Sequence, residues 1–445
     1  MIITNNTSKT YFKFFVFTLI WISIDGIFRK WIFPEFSNQI FAVKYLFFTF
    51  SYIIFLLQNP FIHKIKSSYQ FFIPVLAFYC LFQFLYNPIS APLLVRIFGI
   101  INYLFFIPLI MIVPVYFSST DLLEKFIKFL AYFSIPIFTL GIIQYYLPID
   151  HILNIYVNDI QQIAVVGKFT RSNSIFTFVK VYSVYLVFVL TVTTSYIFYL
   201  LYQGKRIAFF VTVLSLGILN LIMTASRLPL SLFVFNALLI FATAFFFIKQ
   251  LRYTIISILF ITLLSFIILL NTDNALNEAT DALIARSEHS EKLGELGMQG
   301  YSAKDRVIDQ VNIFIFSEEA GSFGFGIGTT YQGTDFFLSK THSDIRYEEE
   351  GERIVLELGV IGGIIMFLLR LSIFLYAIKI ITKIKHINYI FLILPFVLYL
   401  FPPVLFLSHI TFSYYEAFFY WFTFGLVLAI ERSYQAFLYK NKNSA

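Results

Sequence analysis

The chain has 445 residues, of which 59% are hydrophobic and 13% charged, and its mean hydropathy is +0.80. That composition excludes a soluble globular fold of this length, which would carry roughly a quarter charged residues. The net charge of +7 calls for no nucleic-acid partner, because basic loops lying against an anionic inner leaflet account for it.

A helix needs about 20 mainly apolar residues to cross a hydrocarbon core about 30 Å thick. Such segments recur at about 11–28, 40–57, 69–86, 93–117, 122–147, 173–202, 206–224, 229–248, 253–271, 353–378, 388–407 and 410–431. The predicted class is all-α: a polytopic integral membrane protein with about 12 transmembrane helices. One polar excursion, Asn271 to Glu352, interrupts the pattern and predicts a single large extramembrane loop. Residues 1–270 then hold helices 1–9, residues 271–352 the loop, and residues 353–445 helices 10–12 and a tail. The first segment lacks a small-residue cleavage site and is followed by further spans, so it is expected to be a retained helix. No internal repeat stands out.

Short basic loops stay in the cytoplasm. With twelve spans, Lys9, Lys13, Lys64, Lys66, Lys125, Lys128, Lys205, Arg206, Lys249, Arg252, Lys379, Lys383, Lys385, Arg432, Lys440 and Lys442 fall on one side. Both termini are then cytoplasmic and the large loop is outside. Arg29 and Lys30 break the rule by falling on the outer side. Cys80 stands alone in the third segment and is expected to be an inert apolar thiol. The 59 Phe and 29 Tyr serve in lipid as Leu would, without implying a stacking site.

Charge inside a membrane is costly, so chemistry is sought where polar groups gather near span ends. Lys168 and Arg171 enter the sixth span from the outer side, where they either snorkel to headgroup phosphates or bind an anionic ligand. In Thr224-Ala-Ser-Arg-Leu-Pro229, Pro229 suits the first turn of the eighth helix and puts Arg227 beside a helix N-terminus. A guanidinium and a helix start together favour a phosphate, although neighbouring carbonyls could equally satisfy Arg227.

In the loop, Ser302-Ala-Lys-Asp305 has the spacing of a helix start, and Val307, Ile308, Val311, Phe314 and Ile315 form one apolar stripe after it. An amphipathic surface helix carrying Arg306 in its first turn is expected. The glycines 321, 324, 326 and 328 that follow open no strand-turn-helix unit, so they predict a packed irregular turn and not a nucleotide site. His342, with an ordinary pKa of about 6.5, can accept a proton at neutral pH, with Asp344 to orient it. Glu348, Glu349 and Glu350 read as a solvated acidic face, and Gly359, Gly362 and Gly363 as sites of close helix packing.

The Gly167-Lys-Phe-Thr-Arg-Ser172 segment, the Ser226-Arg227 pair, and the order Arg306, Gly-Phe-Gly-Ile-Gly, His342, Glu357-Leu-Gly-x-x-Gly362 resemble the O-antigen polymerase and O-antigen ligase superfamily over roughly residues 165–370. The resemblance implies a GT-C-like membrane glycosyltransferase in the bacterial inner membrane, inverting and metal-independent, with no cofactor. Its donor would be an undecaprenyl-diphosphate-linked oligosaccharide. A polymerase moves the glycan onto a sugar hydroxyl of another lipid-linked repeat unit; a ligase moves it onto lipid A-core. A flippase or transporter of the lipid-linked oligosaccharide is the alternative outside that family. By the resemblance Arg227 and Arg306 grip the diphosphate and His342 activates the acceptor. Arg171, Lys168, Arg346, Arg353 and Glu357 are the accompanying diphosphate- and glycan-binding residues. His342 is followed by Ser where many members have Asn, and the stretch to Glu357 is longer and more acidic, so Glu348, Glu349, Glu350 and Glu352 are rival bases. Membrane lipid and a chain-length regulator are the other candidate partners.

Overall fold

A computed structural model describes residues 5–58, 69–86, 91–157, 165–166, 169–249, 252–253, 284, 320–330 and 350–443. Within them run α1 (Asn5–Ile27), α2 (Ser37–Gln58), α3 (Tyr69–Leu85), α4 (Leu93–Leu104), α5 (Leu109–Tyr116), α6 (Thr120–Tyr146), α7 (Val179–Tyr202), α8 (Ala208–Met223), α9 (Arg227–Phe247), α10 (Glu350–Lys383), α11 (Ile387–Tyr399) and α12 (Tyr414–Asn443). A two-residue antiparallel ladder, β1 (Val165–Val166) against β2 (Phe169–Thr170), is the extended structure among the described residues.

Among those residues six helices are long and apolar enough to cross a membrane, or seven with the bent α4–α5 pair as one, and α3 and α8 are shorter apolar helices. The protein is an all-α, membrane-embedded bundle. Helices lie over eleven of the twelve predicted segments, with 93–117 divided between α4 and α5; segment 253–271 falls almost wholly outside the described residues.

Burial follows sequence. The apolar stretch of α7 is 89% buried, and residues from Tyr185 to Leu200 are covered on every face, as a helix hydrophobic all round must be. Against α7 lean α6, α8, α9 and α11, while α12 packs along α5 and α11, and α10 along α3. In α2 and α9 only 22% of the apolar stretch is buried. Leu46, Phe50 and Leu57 on one, Phe235, Leu238 and Phe246 on the other, face outward as a lipid-contacting surface.

Two helices are interrupted. The 42° bend between α4 and α5 comes just before Pro108, which has no N–H to continue the ladder. In α10 the break is Gly359, at φ 70 and ψ −179, a region open essentially to glycine alone. Its consequence is large. Along an unbroken helix Glu350 and Arg370 would stand about 30 Å apart, yet Arg370 Nη2 lies 2.5 Å from Glu350 Oε1, so the limb before Gly359 folds back along the limb after it. Glu350 is therefore fully buried, which corrects the expectation of a solvated face there: doubling the helix back brings it against Arg370.

The glycine turn at 320–330 satisfies the backbone groups that this break frees. Phe325 N donates to Leu356 O at 2.7 Å and Gly326 N to Glu357 O at 3.0 Å, while Val360 N and Ile361 N donate to Gly321 O and Ser322 O. Gly324 and Gly328 take positive φ and press on the backbone of Glu357 and of Val95 in α4, so the turn is packed, as its sequence predicts.

Candidate functional site

Arg171 follows β2 and opens the segment leading into α7. That segment is pinned from two sides, by α6 and by the turn after α1. Ser172 Oγ donates to Gly141 O at 2.9 Å, and Gln144 accepts from Ser174 N at 2.6 Å. Lys30, in the π-turn Phe28–Ile32, donates to Asn173 Oδ1, Ser174 O and Phe176 O at 3.3, 2.7 and 3.2 Å. The pinning holds Ser174 in a left-handed conformation, φ 48, that a non-glycine residue seldom adopts. It also explains the cations that break the charge pattern. Lys30 is consumed by this segment, and Arg29 and Lys44 flank the buried carboxylate of Asp25 at 3.7 and 2.5 Å.

With the segment fixed, the Arg171 guanidinium reaches the connection between α8 and α9. Nε donates to Thr224 O at 2.8 Å and Nη2 to Ser226 Oγ at 3.0 Å. Ser226 directly precedes Arg227, the first residue of α9, with Pro229 in the same turn. Its hydroxyl makes no cap to that helix; it takes Arg171 and, at 3.1 Å, the hydroxyl of Ser183 on α7. Arg171 and Arg227 thus converge on one helix start from distant parts of the sequence.

One turn before Ser183 on α7, the exposed Lys180 stands 3.9 Å from Glu416 Oε1 at the start of α12, and Glu416 Oε2 accepts the His409 N–H at 2.6 Å. Arg370 adds bonds to Thr411 Oγ1 and Pro403 O at 3.1 and 3.2 Å. Arg353 lies 4.0 Å over the Phe412 ring and donates to Thr330 O, and Glu357 Oε1 accepts from Thr330 N and Oγ1, each at 2.9 Å. Arg353 and Glu357, expected at the substrate, are thus buried and brace the 320–330 turn. In this second group Lys180 stands against Glu416, Arg370 pairs with Glu350, and Arg353 and Glu357 meet at Thr330.

His409 is the residue that the sequence reading missed. It lies half-buried in the connection between α11 and α12. Burial first, then the charges of Lys180, Arg353 and Arg370, holds its imidazole well below the ordinary histidine range and so neutral at neutral pH. Its sequence signal was slight: one histidine in the short gap between two predicted spans. Lys168, Arg306, His342 and Arg346 lie outside the described residues, as does the predicted amphipathic helix. No family model, curated protein or solved structure matches the chain.

Proposed function

We propose that this chain is a polysaccharide polymerase of the O-antigen type, which transfers an undecaprenyl-diphosphate-linked glycan onto a sugar hydroxyl of a second lipid-linked repeat unit with inversion. The observation that carries the reading is the pairing of Arg171 with the residues leading into Arg227 at the start of α9. A diphosphate leaves readily once its developing charge is neutralised. An opposite charge about 4 Å away contributes about 4 kcal/mol at an effective dielectric near 20. In this reading Arg171 and Arg227, both beside the start of α9, supply that stabilisation. Arg306 and His342 complete the reading as a third phosphate contact and a base. In it the chain has about 12 spans in the bacterial inner membrane, a GT-C-like arrangement, both termini in the cytoplasm and the 271–352 loop outside. A ligase would use the same seat and differ in its acceptor.

A carrier of the lipid-linked oligosaccharide is the second reading, favoured by the interrupted helices α4–α5 and α10 and by the fully buried Asp25–Lys44 pair. One experiment separates them. Purified protein in lipid nanodiscs is given lipid-linked repeat units with chelator, and the glycan is sized. Wild type should build longer glycans, and Arg171→Ala or Arg227→Ala should cut transfer by about a hundredfold or more, the scale of losing one transition-state donor. Transport of the substrate across proteoliposomes with no new glycosidic bond would replace the polymerase with the carrier.

A further inference from the structure

We infer that two connections beside the Arg171 segment form an apolar anchor in the membrane leaflet at that end of the bundle, the outer one in the reading above, and fix the segment at headgroup depth. The first is the turn from Phe28 to Phe36 between α1 and α2, and the second runs from Leu147 to Val157 after α6. Loops that run through water are mostly polar. Here Ile32, Phe33 and Phe36 are 49%, 51% and 54% exposed, and Ile149 and Ile152 are 38% and 62% exposed. Trp31 Nε1 donates to Ile152 O at 2.9 Å, so the two connections meet and their apolar side chains make one patch. That patch continues the lipid-contacting face of α2. Pro34–Leu57 is a single apolar stretch in which Phe36, Leu46 and Phe50 recur at helical spacing and all face outward. Charge also selects acyl chains as the occupant: Arg29 is tied to Asp25 and Ser37 and Lys30 to the 173–176 oxygens, while the exposed neighbours Glu35 and Asp150 are acidic. Attraction to anionic headgroups therefore does not hold the patch; apolar burial does.

Both connections are bonded to the segment beside them. From the first, Lys30 Nζ lies 2.7 Å from Ser174 O, and the Trp31 ring lies 4.3 Å from the same ammonium. From the second, Asn154 Nδ2 donates to Thr170 Oγ1 at 3.3 Å and Tyr156 Oη to Arg171 O at 2.7 Å. Gln144 closes the set, its Nε2 donating to Leu153 O at 2.7 Å and to Ser174 O at 3.0 Å. Residues 170–174 are thus tied to the apolar patch at several points. Interfacial apolar side chains settle about 5–10 Å into the boundary of headgroups and acyl chains. The depth of the segment follows from theirs. A lipid diphosphate carries its phosphates at the headgroup level, so the anchor presents Arg171 at the height where that group lies. The placement in the leaflet rests on geometry; its effect on transfer rests on the polymerase reading.

The test begins with depth. In a Cys80→Ala background, Phe33→Cys, Ile152→Cys and Asp150→Cys each carry an environment-sensitive nitrobenzoxadiazole label in vesicles of zwitterionic phosphatidylcholine. The labels replacing Phe33 and Ile152 should be quenched by lipid brominated high on the acyl chain and protected from aqueous iodide, whereas the label replacing Asp150 should respond to iodide. Quenching of the first two by iodide alone would leave the patch in water, and protection from both quenchers would mean that protein covers it; either result overturns the inference. Transfer is then measured for the double variant Phe33→Asn/Ile152→Asn. Its KM for a donor held in the bilayer should rise about tenfold, the scale set by a few ångströms of mismatch. Its kcat, and its KM for a donor on a short water-soluble prenyl chain, should stay within about twofold of wild type, because only binding at the membrane has changed. Equal losses with both donors would assign these side chains to the fold alone and overturn the link to transfer. If wild type forms no glycosidic bond, the polymerase reading falls, and the quenching pattern still decides the anchor.

Discussion

Lys30 illustrates how one side chain sets a site it does not enter. It is 3% exposed, and burial lowers its pKa from 10.5 to about 7. Its Nζ lies within hydrogen-bonding distance of three oxygens of the segment that begins at Arg171 and leads into α7. Removing the ammonium in Lys30→Met strands those oxygens, at a cost of about 1–3 kcal/mol for a buried unsatisfied group, and frees Arg171 to leave Thr224 and Ser226. Transfer activity should fall along with thermal stability. The pH dependence has a definite sign. Between pH 7 and 10.5 the unfolded chain keeps a proton that folded Lys30 has given up, so the stability of wild type should climb with pH across that window. Thermal unfolding in detergent from pH 6.5 to 9 measures this, and Lys30→Met should remove the rise. An identical slope in both proteins would show that Lys30 is not the titrating group.

Among the elements, α10 departs furthest from its sequence pattern. Hydropathy located the helix, because apolar content reads out directly, and it placed α1 to α9, α11 and α12 on their segments in the same way. It was blind to the reversal, since Gly359 within Leu358-Gly-Val360 reads as a packing glycine and nothing local marks its conformation. The pairing of Glu350 with Arg370 was illegible for the same reason: it depends on a fold-back that brings residues 20 apart together. Arg171 and Arg227 were found because cations at the polar ends of apolar spans are conspicuous, whereas His409 gained its meaning only from neighbours on three other helices. A substitution series tests the reversal. A Cβ at Gly359 would come within 2.3 Å of Ser322 O and 2.4 Å of Phe323 N, while one at Gly321 meets nothing within 4 Å. Both glycines have positive φ, 70° and 59°, so both alanine variants carry backbone strain, about 1–3 kcal/mol. Only Gly359→Ala adds a backbone clash. It should therefore be far less stable than Gly321→Ala, failing to yield folded protein where Gly321→Ala does. Equal thermal midpoints would argue against a fold-back held by the 320–330 turn.

For the whole molecule the governing quantity is sidedness, because a diphosphate seat serves an outer-side transferase only if it opens outward. The bundle sorts its polar groups by end. Arg171, Ser226, Arg353 and His409 share one end with the exposed Asp150. At the opposite ends of the same helices lie Lys125 and Lys128 at the start of α6, Lys205 and Arg206 beyond α7, and Lys383 and Lys385 at and just past the end of α10. The positive-inside rule puts the second group in the cytoplasm once Arg29 and Lys30 are recognised as tied into the structure and discounted as free loop charges. Single-cysteine labelling measures the outcome, and the chain is suited to it, for Cys80 is its one cysteine and is fully buried. In a Cys80→Ala background, Asp150→Cys should react with a membrane-impermeant maleimide in spheroplasts, and Lys205→Cys should react only after the membrane is opened. The reverse pattern would turn the arginine seat toward the cytoplasm, where nucleotide sugars and not lipid-diphosphate repeat units awaiting polymerisation are found, and the polymerase proposal would fail however well the arginines converge.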